Sequence, residues 1–323
     1  MGTASWTDPT LIKSRRFYPK GCSSAEARLR YYASRFPLVE VNSSYYALPS
    51  VENSKVWSER TPADFTFNVK AFRLFTGHQT SADVLPPPIR DQLPSAIAAK
   101  KTIQYKDVPG GLLDVLWEFF IEALEPLKQA GKLGLVHFQF APWLTYSPAS
   151  REHVAVCVQR FSGYNLSVEF RHQTWFNDVH REYTLRFERE HGLVHTVVDA
   201  PQGFTNSVAA HWDVTHPGLA LIRLHGRNAA TWNSRSAVAS DRFNYDYSDT
   251  EPAELAESIQ DLAGRVAQVH VIFNNNYEDQ GQRNASTLAG CFGPLDAAES
   301  VPRSIKRVNL CWCWNQRSHF HFR

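Results

Sequence analysis

The sequence has no run of about 18 consecutive apolar residues, and its first ten residues are not a basic segment leading into an apolar one. The first absence argues against a membrane-spanning helix, and the second argues against a secretory signal. The five cysteines form no C-x-x-C pair, which disfavours both a thiolate metal site and a disulfide framework. We therefore expect a soluble, cytoplasmic protein with reduced thiols and no membrane partner.

An excess of one charge is also lacking. Lys and Arg together number 34, against 32 for Asp and Glu, which gives a formal net charge of +2. The chain therefore has no global signature of polyanion binding, and any anion site must be local. Its length of 323 residues suits one large domain better than two.

Short segments of alternating apolar and polar residues are what the sequence does have. In the segment 166–171, LSVEFR, the apolar residues alternate with Ser167, Glu169 and Arg171, as a strand with two different faces requires. Similar segments recur between helical patterns, which favours parallel strands covered by helices. The segments are GTASW, PLVEVN, FTFNVK, LGLVHFQ, LSVEFRH, LVHTVVD, LALIRLH and VHVIFN.

These eight segments predict an α/β fold, a single-domain TIM-type (β/α)8 barrel with a short first strand. One outer helix is expected to be degenerate, because residues 201–217 carry too little helical pattern. The barrel is expected to span residues 1–292, with a long inserted loop at 72–110 that would be a lid or an insertion. Residues 293–323 lose the periodicity and are expected to be a flexible or atypical C-terminal tail.

The assembled motifs resemble the domain of unknown function 72 family, the YecE-like proteins, over about residues 1–292. The resemblance implies a TIM-type barrel and supplies no activity. Two departures stand out: the residues that normally precede GTASW are missing, and the tail has no counterpart. The motifs that carry the resemblance are GTASW, FYP, VEVNSSYY, FTFNVKAF, FQFAPW, VEFRHQTW, VVDAP, RLHGRN and FNNNYEDQGQRNA.

Polar residues at the carboxyl ends of the strands form the candidate site, because barrel enzymes place their catalytic groups there. The candidate catalytic residues are Glu169, His225, Lys70 and Glu40. The candidate substrate-binding residues are Asn42, Tyr45, His78, Gln139, Arg171, His172, Trp175, Asp199, Arg223, Arg227, Asn274 and Asn276. Cationic groups exceed carboxylates in this set, so an anionic ligand is favoured.

The leading hypothesis is an enzyme that acts by general acid–base chemistry on a small anionic or polyhydroxylated molecule. Glu169 or Glu40 would be the acid or base, and His225 or Lys70 would be its counterpart. No organic cofactor is expected. No metal is expected either, although one divalent ion at Glu169, Asp199 and His225 stays open.

Three alternatives also stay open. Arginine and aromatic side chains suit nucleic-acid binding or phosphodiester processing, an analogy that rests on the fold. Glu40 and Glu169 could be the paired carboxylates of a glycoside hydrolase. A non-catalytic binding protein is favoured if the polar groups at the mouth are buried and neutralise one another. The sequence does not decide the oligomeric state.

Overall fold

The computed structural model describes residues 1–233, 239–248 and 250–292, so the predicted tail lies outside the described residues. Eight parallel strands pair in chain order and close into a barrel. They coincide with the eight alternating segments, which confirms the predicted TIM-type fold and the short first strand. The strands are Gly2–Thr3 (β1), Leu38–Val41 (β2), Thr66–Lys70 (β3), Leu133–Gln139 (β4), Leu166–Glu169 (β5), Val194–Asp199 (β6), Ala220–Leu224 (β7) and Val269–Phe273 (β8).

Helices cover the barrel after every strand but one. No helix lies between β6 and β7, a segment that the structure describes in full, which confirms the degenerate unit. No described helix is long and apolar enough to cross a membrane. The helices are Pro9–Ser14 (α1), Ala25–Ala33 (α2), Ser43–Tyr46 (α3), Val51–Glu59 (α4), Pro87–Arg90 (α5), Ser95–Ala98 (α6), Gly110–Gln129 (α7), Pro148–Gln159 (α8), Arg181–Glu190 (α9), Ala239–Arg242 (α10), Glu251–Ala263 (α11) and Gln280–Gly290 (α12).

Local sequence sets the helix boundaries. At the start of α8 the Ser147 hydroxyl accepts a hydrogen bond from the Ser150 amide, and Pro148 occupies the first helical position, where its missing N–H costs nothing. Helix α7 is long because its apolar residues recur at helical spacing and pack onto the barrel. These boundaries place each strand end, and therefore each side chain of the mouth, in a defined position.

The segment 72–110 packs mostly on the outside of the barrel and does not form an open loop. It contains α5 and α6, and α5 contacts α7. The Phe75 ring stacks on Trp117 of α7 with ring centroids 3.5 Å apart. Ile89 and Ile103 are fully buried. The segment reaches the barrel mouth near its beginning, at His78, whose ring contacts Tyr45.

The interior of the barrel is layered. An apolar layer fills the lower part and consists of Ala4, Leu38, Leu135, Val194, Leu219, Leu221 and Ile272. Beside it the register of β3 and β4 shifts at Gly134, where an added Cβ would lie 2.6 Å from Asn68 Oδ1. Only glycine fits this close approach. Toward the carboxyl ends of the strands, polar and charged side chains replace the apolar ones.

Candidate functional site

A fully buried arginine lies on the barrel axis between two glutamates. Arg223 of β7 donates through Nε and Nη2 to the two carboxylate oxygens of Glu40 on β2, at 3.0 and 2.6 Å. Its Nη1 donates to Glu169 Oε2 on β5 at 2.6 Å. All three side chains are 0% exposed. We call these three residues the inner ion cluster.

The inner ion cluster is held in its charged form. Burial by itself would raise the pKa of both glutamates, but the charge of Arg223, together with the neighbouring histidines and the hydrogen bonds to the carboxylates, outweighs it. The pKa of Glu40 is lowered, and that of Glu169 lies well below its ordinary value. Burial would lower the pKa of Arg223, and the two carboxylates raise it instead. Neither glutamate is therefore a natural proton donor at neutral pH.

His225 lies at the end of β7 and is bonded on both ring nitrogens. Nε2 lies 3.2 Å from Glu169 Oε1, and the Asn274 amide nitrogen lies 2.7 Å from Nδ1. These contacts fit a neutral ring that donates from Nε2 to Glu169 and accepts at Nδ1 from Asn274. Burial lowers the pKa of His225 to about 4, in agreement with the neutral form.

Lys70 is joined to the inner ion cluster through an amide. The Gln139 amide nitrogen donates to Glu169 Oε1 at 2.7 Å, which turns its oxygen toward Lys70 Nζ at 2.8 Å. The amine also lies 4.4 Å from the centre of the Tyr45 ring. Burial, and then the charge of Arg223, lower the pKa of Lys70 to about 7. Lys70 is 8% exposed, so its amine lies at the boundary between the cluster and the mouth.

Aromatic and cationic side chains form the rim above Lys70. The Tyr45 ring contacts His78, and the His78 ring contacts the exposed Trp143. Burial and neighbouring cations lower the pKa of His78 to about 3, so this ring is neutral. On the other side, the Arg171 guanidinium lies 4.9 Å from the centre of the Trp232 ring.

Asp199 and Arg227 belong to a different network. Asp199 was expected to face the mouth, but it points toward the helices, where it accepts hydrogen bonds from Arg227 and from the Tyr247 hydroxyl at 2.6 Å. Arg227 also donates to Glu251 Oε1 at 2.9 Å. We call Asp199, Arg227 and Glu251 the outer ion cluster. Gly226 permits this change of face, because its φ is +81° and an added Cβ would lie 2.4 Å from Tyr245.

The two remaining asparagines of the predicted set hold the end of β1. The Asn42 amide donates to the Ala4 carbonyl at 2.9 Å, and the Asn276 amide donates to Asp8 Oδ2 at 2.9 Å. Asp8 in turn caps α1. Both asparagines lie on the mouth side and form these hydrogen bonds with the chain itself.

His172 and Trp175 are not brought to the inner ion cluster. His172 Nδ1 accepts a hydrogen bond from the Thr174 amide and caps a 3₁₀ turn. Trp175 is fully buried, stacks on Phe170 at 3.7 Å and donates to the Leu144 carbonyl. Phe170 faces outward in the alternation of β5, so Trp175 packs under the helices.

Two contributors were not predicted. His137 Nε2 lies 3.3 Å from Glu169 Oε2, and its position in the alternation of β4 already places it inside the barrel. Phe243 stacks on His225 with ring centroids 5.7 Å apart. Phe243 lies in an irregular segment without periodicity, so no sequence signal could have found it.

The metal site left open at Glu169, Asp199 and His225 does not assemble, because Asp199 faces the outer ion cluster. Within 1–233, 239–248 and 250–292, no group of three or more His, Cys, Asp or Glu side chains is arranged to hold a metal ion.

Fold and site together define a TIM-type barrel whose axis holds a buried ion cluster beneath a lysine at the mouth. The family model described as "Protein of unknown function DUF72" matches residues 1–305, and the chain belongs to this family. The match extends beyond residue 292, where the resemblance was expected to end.

Relatives with this fold match most of the chain. The UPF0759 protein YunF of Bacillus subtilis (strain 168) is 28% identical over 279 residues, which cover 85% of this chain and 88% of that protein. A crystal structure of a DUF72 family protein from Enterococcus faecalis V583 has a TM-score of 0.70 at 25% identity and covers 89% of this chain and 92% of that one. A DUF72 family protein from Thermotoga maritima MSB8 has a TM-score of 0.65 at 26% identity, with 89% and 95% covered.

Proposed function

We propose that the barrel mouth is the active site of an enzyme that acts on a small anionic molecule by general acid–base chemistry, with Lys70 as the group that gains and loses the proton. The observation that carries the proposal is the position of the Lys70 amine. It lies at the carboxyl end of β3, where barrel enzymes place catalytic groups, and its pKa of about 7 suits proton transfer at neutral pH.

A charge count supports a neutral amine before an anion binds. The carboxylates of Glu40 and Glu169 balance the guanidiniums of Arg223 and Arg171, whose Nη1 lies 3.5 Å from Glu169 Oε1. A protonated Lys70 would leave one buried positive charge without a counterion, which is costly. A bound anion would supply that counterion and favour the protonated form. Binding and proton uptake are therefore coupled.

The other predicted catalytic groups act on Lys70 from a distance in this proposal. Glu169 orients Gln139, and Gln139 fixes the amine. His225 and Glu40 complete the hydrogen bonds of the inner ion cluster. This cluster is buried and its charges are paired with one another, as a non-catalytic binding protein would have it, so the catalytic proposal depends on Lys70, which lies outside the cluster. Arg171, whose side chain is 14% exposed, is the cation placed to hold the anionic group.

The inner ion cluster also weighs against a paired-carboxylate glycoside hydrolase. Arg223 fills the space between Glu40 and Glu169 and bonds to both. A glycosidic bond would have to lie between the two carboxylates.

The test is the pH dependence of Lys70 acylation, followed by peptide mass spectrometry after brief exposure to an amine-reactive reagent. We expect a midpoint near pH 7 for Lys70. Exposed lysines should still be gaining reactivity above about pH 9. A midpoint for Lys70 in the range of exposed lysines would overturn the proposal and favour a non-catalytic binding protein.

A cationic pocket near the end of β1 favours a second candidate, the binding of a nucleic-acid backbone. The pocket has a volume of ≈ 710 Å³ and follows β1 on the mouth side. Lys13, Arg15, Lys20 and Arg28 line it, and no carboxylate does. Retention on a nucleic-acid column should fall steeply with salt and should be lost in a Lys13→Glu, Lys20→Glu variant. Passage of the wild type without retention would exclude this candidate.

A further inference from the structure

We propose that Lys70 is a nucleophile that forms an imine with the carbonyl carbon of a short-chain oxo acid, with Arg171 holding the carboxylate of that substrate. The inference rests on the proposed function and deepens it, because it names the substrate class and the covalent step. It starts from the surroundings of the amine, which differ from those of Lys132, the other buried lysine among the described residues.

The first argument is the partner of the amine. Lys70 Nζ donates to an amide oxygen, that of Gln139, and lies beside the face of Tyr45. No carboxylate is bonded to it among the described residues, and the more distant charges of Glu40 and Glu169, which favour the ammonium form, are outweighed by burial and neighbouring cations. A lysine that is desolvated and close to other cations is the kind that proteins use as an amine nucleophile.

Lys132 shows what a structural lysine looks like in this fold. It is 6% exposed, slightly less than Lys70, but it lies at the opposite end of the barrel, before β4. Its Nζ donates to the carbonyl oxygens of Ser58 and Thr61 at 2.5 and 2.7 Å and to the Thr61 hydroxyl at 3.1 Å. All three ammonium hydrogens have acceptors, which favour the protonated form of Lys132 although burial lowers its pKa.

The second argument is the charge that an imine would create. The neutral amine attacks the carbonyl carbon, the carbonyl oxygen takes up protons and leaves as water, and one proton from solvent remains on the nitrogen. The product is an iminium, so the positive charge appears at Nζ only when the substrate is bound. The carboxylate of an oxo acid then balances this charge, so the site is as neutral with the bound substrate as it was before binding.

The third argument is a second cation at the mouth, the guanidinium of Arg171. Arg171 follows β5 and is held by Glu169 Oε1 at 3.5 Å and by the Trp232 ring at 4.9 Å. These contacts leave its exposed part toward the mouth. The charge of Arg171 acts on Lys70 and lowers its pKa, so the two side chains are neighbours. In the proposal Arg171 binds the carboxylate while the carbonyl carbon faces Lys70.

The experiment traps the imine on the full-length protein. Pyruvate or glyoxylate is added with cyanoborohydride at neutral pH, and the modified residue is found by intact mass and peptide mapping. We expect one reduced adduct per chain, on Lys70, at least about tenfold more abundant than on Lys132 or any exposed lysine, since the neutral fraction of Lys70 is far larger. Lys70→Met should abolish this adduct.

Two comparisons make the result specific. Arg171→Met should lower the yield with pyruvate about tenfold more than the yield with acetaldehyde, which has no carboxylate, because loss of the Arg171 charge raises the pKa of Lys70 equally for both substrates. Lactate has the carboxylate without the carbonyl, so it should slow the acylation of Lys70 and form no adduct.

The failures are distinguishable. Protection of Lys70 by lactate or pyruvate without any adduct would overturn the imine and leave the acid–base proposal standing. Adducts spread evenly over surface lysines would overturn the imine as well. If Lys70 also titrates like an exposed lysine, the imine and the proposed function both fall.

Discussion

Arg223 and Arg227 are four positions apart on the same strand and its extension, and each lies between two carboxylates. The inner ion cluster is 0% exposed on every side chain, whereas the Arg227 side chain of the outer ion cluster is 36% exposed. The same composition therefore has two different consequences. Inside, the charges are locked and shape the pKa of Lys70. In the outer ion cluster the Arg227 side chain is in contact with water, and the cluster connects a loop to the barrel.

The largest difference should appear when each arginine is removed. Arg223→Met leaves two buried carboxylates without a counterion, so we expect the free energy of unfolding to fall by about 3–5 kcal/mol. Arg227→Met should cost about 1 kcal/mol, because both of its carboxylate partners keep other donors. Asp199 keeps the Tyr247 hydroxyl, and Glu251 keeps the Ser248 amide. Urea denaturation of both variants measures the contrast, and equal losses would mean that burial does not separate the two clusters.

The pH dependence of stability should report the inner ion cluster through Lys70. The pKa is about 7 in the folded chain and 10.5 ordinarily, so between these values the unfolded chain binds a proton that the folded chain lacks. Wild-type stability relative to Lys70→Met should therefore rise with pH, by about 1.4 kcal/mol per unit at most, and level off below about pH 7. Urea denaturation from about pH 6 to about pH 9 checks this sign. A flat difference would show that Lys70 is charged when folded.

A hydroxyl joins the outer ion cluster to the backbone, and its removal should cost less. The Tyr247 hydroxyl donates to Asp199 Oδ2 and accepts from the Gly226 amide at 3.0 Å. Tyr247→Phe should lower the free energy of unfolding by about 1–2 kcal/mol, since it leaves a buried amide without an acceptor. Tyr183→Phe, at an exposed position, is the control and should change it by less than about 0.5 kcal/mol. Similar effects for the two variants would show that water replaces the lost hydroxyl.

Added salt should give the smallest effect on the free energy of unfolding, and it should act on the outer ion cluster only. At high ionic strength the loss caused by Arg227→Met should shrink by roughly a few tenths of a kcal/mol, because exposed charges are screened. The loss caused by Arg223→Met should not change. Parallel denaturation curves at low and high salt test this, and a salt-sensitive Arg223 would mean that solvent enters the barrel.

The fold could be predicted because the alternation of each strand is visible in the sequence. The same alternation correctly placed Glu40, Lys70, Gln139, Glu169 and Arg223 inside the barrel. It works where one face of a strand is polar and the other apolar, since the polar face can then lie only at the axis.

The prediction that a side chain points into the barrel was wrong where the two faces of a strand do not differ in polarity. Strand β6 has valine on both faces, Val197 and Val198, so the face of Asp199 could not be read. After β5 the chain turns at His172, and the large apolar surface of Trp175 is buried under the helices. Whether the mouth is catalytic stays a prediction, because alternation shows where a side chain lies and not what it binds.

The inner ion cluster also constrains how the chain can fold. Its charges come from β2, β5 and β7, so Glu40 is made long before Arg223 leaves the ribosome. A half-barrel of the first four strands would have to bury Glu40 without the arginine that neutralises it, and would expose this carboxylate to water instead. The barrel therefore closes and its buried charges are neutralised in the same step. Partly assembled barrels are unstable for this reason, and folding of the complete barrel is cooperative.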